Sequence, residues 1–369
     1  MRKHHPKNER IKRQYLAYLE EAKRLSSKSA DQAAAAIAQF EACNGYKDFA
    51  HFHIEQARRF KRQLDEQVHP DTGKPLAKAT IHSRLMAVKA FIHWLAGQSG
   101  YKSKIAYSDA DYFNPSANDS RIATAKREQT APTVEQIRHV LGSMPDHTDM
   151  EKRDRALIAF AILSGVRDDA LASLSIRHVD VAKRRVFQDA RTVRTKNRKT
   201  ISSSFFPVGD DIEAIVTSWH SYLTTTKLFG PDDPLFPATE IGLDSDRQFA
   251  PVGLARRHWK NADAIRRVFR NAFETAGLPY FNPHSFRKTL AVLGERMCKT
   301  PEAFKAWSQN LGHDNVLTTF TSYGEVSHHR QSEILNEMGF SPSTSAGQHV
   351  LPDDATVKWV LDHLRSKTN

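Results

Sequence analysis

A histidine and an arginine lie three residues apart in the segment NPHSFRKTLAVL, residues 282–293. Pro283 stands at the start of a helical pattern, and this spacing places His284 and Arg287 on one face of the helix. Backbone N–H groups at a helix N-terminus and the paired donors of a guanidinium both favour an oxyanion such as phosphate. The segment therefore predicts a phosphate-binding helix; the alternative is a capping histidine beside a surface arginine.

Two further basic positions occur where the helical pattern breaks. Arg167 follows an apolar helix and Gly165, and such a break can direct its side chain into a cleft. A basic turn carries Lys196 and Lys199, at a point where the tip of a hairpin would project into a groove. The alternatives are an arginine paired with a neighbouring aspartate and a turn that is merely solvated.

Another histidine precedes a tyrosine in the segment LGHDNVLTTFTSYGEV, residues 311–326. His313 follows a Leu-Gly pair, and Tyr323 comes ten residues later, after a Thr-rich helical turn. A tyrosine phenol can act as a nucleophile and form a covalent intermediate. An isolated tyrosine is otherwise a packing residue whose hydroxyl stays in water.

Several other kinds of site have no support in the sequence. It contains no GxxxxGK[ST] loop, no GxGxxG and no HExxH motif. The histidine pairs at 51 and 53 and at 328 and 329 do not stack two imidazoles on one helical face. The two cysteines, Cys43 and Cys298, form no CxxC pair. We therefore expect no cofactor, no metal ion and a reducing compartment.

The composition is that of a globular, basic chain. Of 369 residues, 40% are hydrophobic and 26% are charged, which excludes disorder of the whole chain. The longest apolar run, Ala156 to Leu163, is too short for a membrane span, and no secretory signal is visible. The net charge is +12, of which residues 1–130 contribute +9. This balance suits a polyanionic partner such as nucleic acid.

The N-terminal part of the chain has the apolar periodicity of helices. Apolar residues recur at steps of three and four in four segments, near residues 11–25, 31–43, 49–60 and 80–96. Four short helices of this kind form a bundle. We therefore predict a helical N-terminal domain over residues 1–113.

From Asn114 to Pro132 the apolar pattern is lost, which predicts a linker over residues 114–132. Thr133 and Gln136 then fit a capping box, and helical patterns continue over residues 133–340. The exception is Arg184 to Val208, which is typical of a strand–turn–strand unit. The expected fold class is mainly α, with a mostly helical second domain and a small antiparallel β-sheet. Residues 341–369 are predicted to be a tail with one short amphipathic segment.

The candidate residues, in chain order, resemble the active site of the tyrosine recombinase family of phage-integrase type. The matching positions are Arg167, Lys196, His284, Arg287, His313 and Tyr323. HxxR alone is a weak signal, but HxxR followed by LGH and a tyrosine, after a Gly-x-Arg break and a basic hairpin, is specific. The resemblance covers residues 130–330. The segment TIHSRLMAVKAFIHWLA, residues 80–96, is similar to the last helix of the family's four-helix, SAM-like core-binding domain.

The resemblance implies a site-specific recombinase that cuts and rejoins DNA through a 3′-phosphotyrosyl intermediate. Arg167 and Arg287 match the residues that stabilise negative charge on the non-bridging phosphate oxygens. Tyr323 matches the nucleophile, and its phenol needs a cationic site because free tyrosine has a pKa near 10. The covalent bond conserves the energy of the broken linkage, so neither ATP nor a metal ion is expected.

The family's proton-transfer groups also have matches. His284 resembles the candidate base, and His313 would donate a hydrogen bond to the phosphate. The leaving 5′ oxygen needs a proton from a general acid. Lys196 matches that position best, and Lys199 is the alternative.

Two features depart from the family pattern. Members commonly carry an acidic residue three positions after the first arginine, whereas this chain has Ala170. Either Asp168 or Asp169 then orients Arg167, or no residue takes this role. The interval from His313 to Tyr323 is also one residue longer than the commonest spacing, which a short loop can absorb.

The resemblance implies double-stranded DNA as the partner and a homo-tetramer on paired recombination sites, with no membrane. Integration or excision of a mobile element in a bacterial cytoplasm, associated with the nucleoid, is the expected setting. An apolar segment between Gly324 and Phe340 would dock on a neighbouring subunit; the alternative is packing within its own chain. The alternatives are relaxation of DNA by a type IB topoisomerase and a non-catalytic DNA-binding protein with the same fold.

Overall fold

A computed structural model of the chain describes residues 4–69, 73–125, 130–243 and 247–313. The chain divides into two units, Met1–Arg127 and Glu128–Asn369, and each has its own hydrophobic core. Tyr323, the apolar segment that follows it and the tail at 341–369 lie outside the described residues. Within the described ranges, no helix is long and apolar enough to cross a membrane.

The first unit consists of α-helices with short 3₁₀ and π-helical segments. Its α-helices are α1 (Pro6–Ala17), α2 (Ser27–Cys43), α3 (Ile54–Glu66), α4 (Lys78–Ala96) and α5 (Ala117–Thr124). The first four correspond to the four apolar patterns in the sequence. Side chains satisfy backbone donors at helix starts: Ser26 Oγ accepts from the Ser29 N–H, and His53 Nδ1 accepts from the Glu55 N–H.

Phenylalanine rings fill the core of the first unit. Phe40 is fully buried, and its ring contacts Phe60 and Phe113 edge to face, with 5.3 Å between centroids in each pair. Phe91 and Leu95 of α4 are also fully buried. The apolar stripes that predicted these helices therefore face a common core.

The range 114–132, predicted as a linker, contains helix α5. Ser116 caps it by accepting a hydrogen bond from the Asp119 N–H, and Lys78 of α4 lies 3.0 Å from an Asp119 carboxylate oxygen. None of its residues is buried. The helix escaped prediction because polar contacts, rather than an apolar stripe, hold it.

The second unit surrounds one buried helix. Its α-helices are α6 (Val134–Ser143), α7 (Asp149–Ser164), α8 (Asp168–Leu171), α9 (Asp210–Ser221), α10 (Asp263–Thr275), α11 (Pro283–Met297) and α12 (Pro301–Asn310). Every residue of α7 from Ala156 to Ser164 is buried. The predicted capping box of Thr133 and Gln136 starts α6.

A three-stranded antiparallel sheet contains the predicted strand–turn–strand unit. Its strands are β1 (Val179–Asp180), β2 (Arg185–Gln188) and β3 (Ile201–Ser204), in the order β1-β2-β3. Buried and exposed side chains alternate along β2 and β3, and Val186 pairs with Ser203 on the buried face. The mainly helical fold class with a small antiparallel sheet is confirmed.

A second hairpin was not predicted. Strands β4 (Ala238–Leu243) and β5 (Phe249–Ala255) pair antiparallel, with a register shift between Glu240 and Ile241. Helical patterns had been expected here. Gly242, Pro251 and Gly253 weaken the strand signal, and most of the hairpin has no buried face whose alternation could reveal it.

Candidate active site

The turn after α7 positions Arg167. Gly165 ends the helix with φ +63°, and a Cβ there would lie 3.1–3.2 Å from side chains of Leu290, Leu311 and Phe206. Only glycine suits this crowded left-handed turn. Arg167 is the N-cap residue immediately before α8, and burial lowers the pKa of its guanidinium.

Arg287 joins two turns of the chain. Its Nη1 donates to the Gly165 carbonyl oxygen and its Nη2 to the Leu311 carbonyl oxygen. These carbonyls precede Arg167 and His313 by only two residues each. A single guanidinium therefore holds together the segments that carry two other candidate residues.

One donor of Arg287 has no partner. The side chain is only 6% exposed, and its Nε forms no hydrogen bond among the described residues. A buried unsatisfied donor costs free energy, so such a group commonly has a functional reason. Burial, together with the positive charge of Arg167, lowers the Arg287 pKa to about 9, which leaves the guanidinium charged at neutral pH.

His313 contacts the same guanidinium. Arg287 Nη2 lies 3.0 Å from His313 Nε2. A guanidinium can only donate, so Nε2 accepts and the ring proton lies on Nδ1. The predicted oxyanion site thus includes an imidazole that carries its proton on Nδ1.

His284 lies in the first turn of α11, which Asn282 caps by accepting a hydrogen bond from the Ser285 N–H at 3.1 Å. Burial lowers the His284 pKa most. The charges of Arg287 and Arg167 lower it further. The ring is therefore neutral at neutral pH, as a base must be.

Lys196 lies in the β2–β3 hairpin and extends the cluster of Arg167, Arg287 and His284. It lies in a 3₁₀ segment, Lys196–Arg198, where Asn197 has φ +58°. Its side chain is exposed, and its positive charge also lowers the His284 pKa. The structure therefore brings Arg167, Lys196, His284, Arg287 and His313 together; Tyr323 lies outside the described residues.

The aspartates next to Arg167 do not bind it. Asp168 Oδ2 accepts two hydrogen bonds from Arg266, at 2.9 Å from Nε and 2.7 Å from Nη2. Arg167 forms no ion pair or hydrogen bond with its side chain in the described ranges. Of the alternatives left open by the sequence, neither aspartate orients Arg167 directly. Arg266 takes the Asp168 carboxylate, and no bond joins Asp169 to Arg167 among the described residues.

Sequence reasoning could not find Arg266. It lies 98 residues beyond Asp168, on α10, and no local motif marks it. Ala170, at the position of the usual acidic residue, is buried. The Asp168–Arg266 pair fixes the start of α8 instead, next to Arg167.

This cluster suits an oxyanion that gains charge. Three cationic side chains and two imidazoles surround one region, and the charges of both arginines and the lysine act on His284. Preorganised donors of this kind stabilise developing negative charge. Among the described residues, no group of three histidine, cysteine or acidic side chains could hold a metal ion.

Comparison with known sequences identifies the family. Residues 131–330 match the Phage integrase family. The tyrosine recombinases XerC of Escherichia coli O157:H7 and of Escherichia coli strain K12 / DH10B are each 22% identical to this chain over 286 residues. Each match covers 77% of this chain and 80% of the relative.

Solved structures share the fold. A lambda integrase dimer bound to a COC′ core site is 12% identical with a TM-score of 0.58, covering 87% of this chain and 96% of that one. An integrase of the Tn1549 transposon, in complex with circular intermediate DNA, is 13% identical with a TM-score of 0.55, covering 89% and 99%. The sequence resemblance is thus confirmed, and the chain belongs to the phage integrase family of tyrosine recombinases.

Proposed function

We propose that this protein is a site-specific DNA recombinase whose Tyr323 attacks a backbone phosphodiester and forms a 3′-phosphotyrosyl intermediate. The convergence of Arg167, Arg287, His284 and His313 on one region carries this proposal. These residues come from separate parts of the chain, and only the fold brings them together.

The two arginines bind the non-bridging oxygens of the scissile phosphate. Arg287 is held by hydrogen bonds to two carbonyl oxygens, which fix its guanidinium in the site. The Arg167 guanidinium is partly buried and forms no hydrogen bond with the described residues. Because the fold itself holds the Arg287 guanidinium through these hydrogen bonds, little reorganisation of this cation should accompany the reaction.

Proton transfer falls to the histidines and the lysine. Neutral His284 takes the phenolic proton of Tyr323, and His313 donates a hydrogen bond to a phosphate oxygen. Lys196 protonates the 5′ oxygen as it leaves. We favour Lys196 over Lys199 because its charge reaches His284.

The phosphotyrosyl bond that forms replaces the phosphorus–5′-oxygen bond that breaks. The phenolic oxygen attacks phosphorus, the 5′ oxygen leaves with a proton, and a 5′ hydroxyl later reverses the step. No net hydrolysis occurs, so strand exchange requires neither ATP nor a metal ion.

The substrate is double-stranded DNA, bound by both domains. Residues 1–113 form the core-binding domain and residues 133–340 the catalytic domain. The excess positive charge of residues 1–130 suits phosphate contacts, which supply most of the affinity and make it salt-dependent. A homo-tetramer on paired sites, acting in integration or excision of a mobile element at the bacterial nucleoid, completes the proposal.

Covalent trapping tests the function. A duplex site is selected from a random pool by the purified protein, nicked to make a suicide substrate, and incubated with excess chelator. We expect a covalent adduct with the wild type and none with Tyr323→Phe, whose DNA affinity stays nearly unchanged. Complete dependence on Mg²⁺ would contradict the mechanism, and relaxation of a plasmid without the site would indicate a topoisomerase.

A further inference from the structure

The β4–β5 hairpin has an apolar face that nothing in the described structure covers. Ile241 pairs with Pro251 and Leu243 pairs with Phe249, so these four side chains lie on one face. Ile241 is 53% exposed, Leu243 60% and Phe249 83%. Contiguous exposed apolar surface of this kind commonly marks an interaction site.

The base of the hairpin is firmly held. Arg153 of α7 is 3% exposed and donates at 3.0 Å both to the Pro237 carbonyl oxygen and to Thr239 Oγ1. Its guanidinium stacks on the Trp259 ring, 5.0 Å from the centroid, and Leu254 packs against the core. The apolar face is therefore presented from a fixed base.

The hairpin is suited to side-chain packing rather than to strand addition. Pro251 lacks an N–H and blunts the edge of β5. The register shift next to it further interrupts the edge. Strand addition at β5 is therefore disfavoured, and we expect a partner to cover the apolar face.

Charge argues for a protein partner of basic character. Residues 238–255 contain three acidic side chains and one basic one, a net charge of −2, in a chain of +12. DNA phosphates would be repelled by this segment. A second copy of this chain, by contrast, has the complementary charge.

We propose that the apolar face formed by Ile241, Leu243, Phe249 and Pro251 docks on a second copy of this chain when copies are bound to neighbouring DNA sites. The inference rests on the proposed recombinase function. Four side chains cover far less than the roughly 800 Å² per partner of a stable interface. The contact therefore forms only where DNA raises the effective concentration of the second copy.

Assembly on DNA gives the first test. The double variant Leu243→Ser/Phe249→Ser is compared with wild type on duplexes that carry one or two selected core sites. We expect unchanged affinity for one site and a roughly tenfold or greater loss of the two-copy complex on two sites. Equal assembly of variant and wild type would overturn the contact.

Val252→Ser is the matched control. Val252 is 53% exposed but lies over the opposite face, because a Cβ on Gly242 would come within 2.9 Å of it. This variant should assemble like wild type. A loss equal to that of the double variant would overturn the role of the apolar face.

Cross-linking identifies the occupant without requiring cleavage. A photoreactive benzoylphenylalanine at position 249 is activated on the two-site duplex, in a mixture of copies with different tags. A product containing both tags supports the proposal; a product with DNA, or none between copies, overturns it. Adduct formation by wild type is measured separately, so failure of the recombinase function is distinguishable from failure of this contact.

Discussion

In the part of the second unit that the structure describes, two hairpins differ in the side chains on their faces and at their tips. In β2–β3 the inward side chains are buried, and the basic turn brings Lys196 close to His284. In β4–β5 the outer apolar side chains are exposed and the segment is acidic. The first hairpin completes a site within its own unit, whereas the second presents surface to another molecule.

The difference shows what alternation alone reveals. A hairpin with one buried face leaves a period of two in the sequence, since every second side chain must be apolar. A hairpin whose apolar side chains contact another molecule need not alternate buried and exposed positions within its own unit. Its apolar residues become informative only when their exposure is known.

The largest effect is expected at the residue that organises the site beside the first hairpin. Replacing Arg287 by alanine removes donors to phosphate and the hydrogen bonds to two carbonyl oxygens. We expect the single-turnover rate of adduct formation to fall by about 10³-fold or more. Arg270→Ala, an exposed arginine paired with Glu274, should retain the rate; a loss below tenfold in Arg287→Ala would contradict the proposed site.

At the tip of the first hairpin, we expect Lys196 to contribute to the rate of DNA cleavage. Lys196→Ala should slow cleavage by roughly 10²-fold or more, because the leaving oxygen loses its acid. A substrate with a sulfur in place of the bridging 5′ oxygen needs no proton and should restore the rate. If Lys199→Ala, and not Lys196→Ala, is slowed and then rescued, the assignment is wrong.

The base of the second hairpin should matter for stability. Arg153→Ala leaves the Pro237 carbonyl and Thr239 hydroxyl without their donor and removes the stacking on Trp259. We expect the free energy of unfolding in urea to fall by about 2–4 kcal/mol. Arg184→Ala, which removes an exposed ion pair with Glu213 beside the first hairpin, should change it little; equal effects would contradict the anchoring role.

The smallest effect is a shift of the pH profile. His284 acts as a base when neutral, and its lowered pKa keeps it neutral to lower pH, so the rate should fall only below about pH 6.5. Asp168 raises this pKa, so Asp168→Asn should move the acid limb further down, while Lys196→Ala should move it up. Substitutions in β4–β5 should not shift the acid limb of the pH–rate profile. An acid limb above the ordinary histidine pKa would contradict the assignment of His284 as the base.

Local patterns predicted much of the fold. The stripes of α1 to α4, the capping box of α6 and the strands β2 and β3 each follow from short-range rules of burial and capping. Helix α5 does not follow from these rules, because polar contacts rather than an apolar stripe hold it. The second hairpin does not follow either, because its apolar side chains are not buried in the core of its own unit.

The candidate site was predicted as a set of residue types in order, and not as a network of contacts. Nothing near Arg287 in the sequence indicates that it binds the carbonyls of Gly165 and Leu311. The pairing of Asp168 with Arg266 joins residues 98 positions apart. Such contacts depend on tertiary packing, which spacing along the chain does not encode.

Arg287 has both a proposed binding role and a structural role, and this affects when the site can form. The guanidinium that would bind the DNA phosphate also donates hydrogen bonds to the carbonyl oxygens of the turns at Gly165 and Leu311. A chain that has not finished folding around α11 therefore lacks the hydrogen bonds that would assemble the proposed site. A nascent or damaged copy would therefore be unable to cut DNA until this unit has folded.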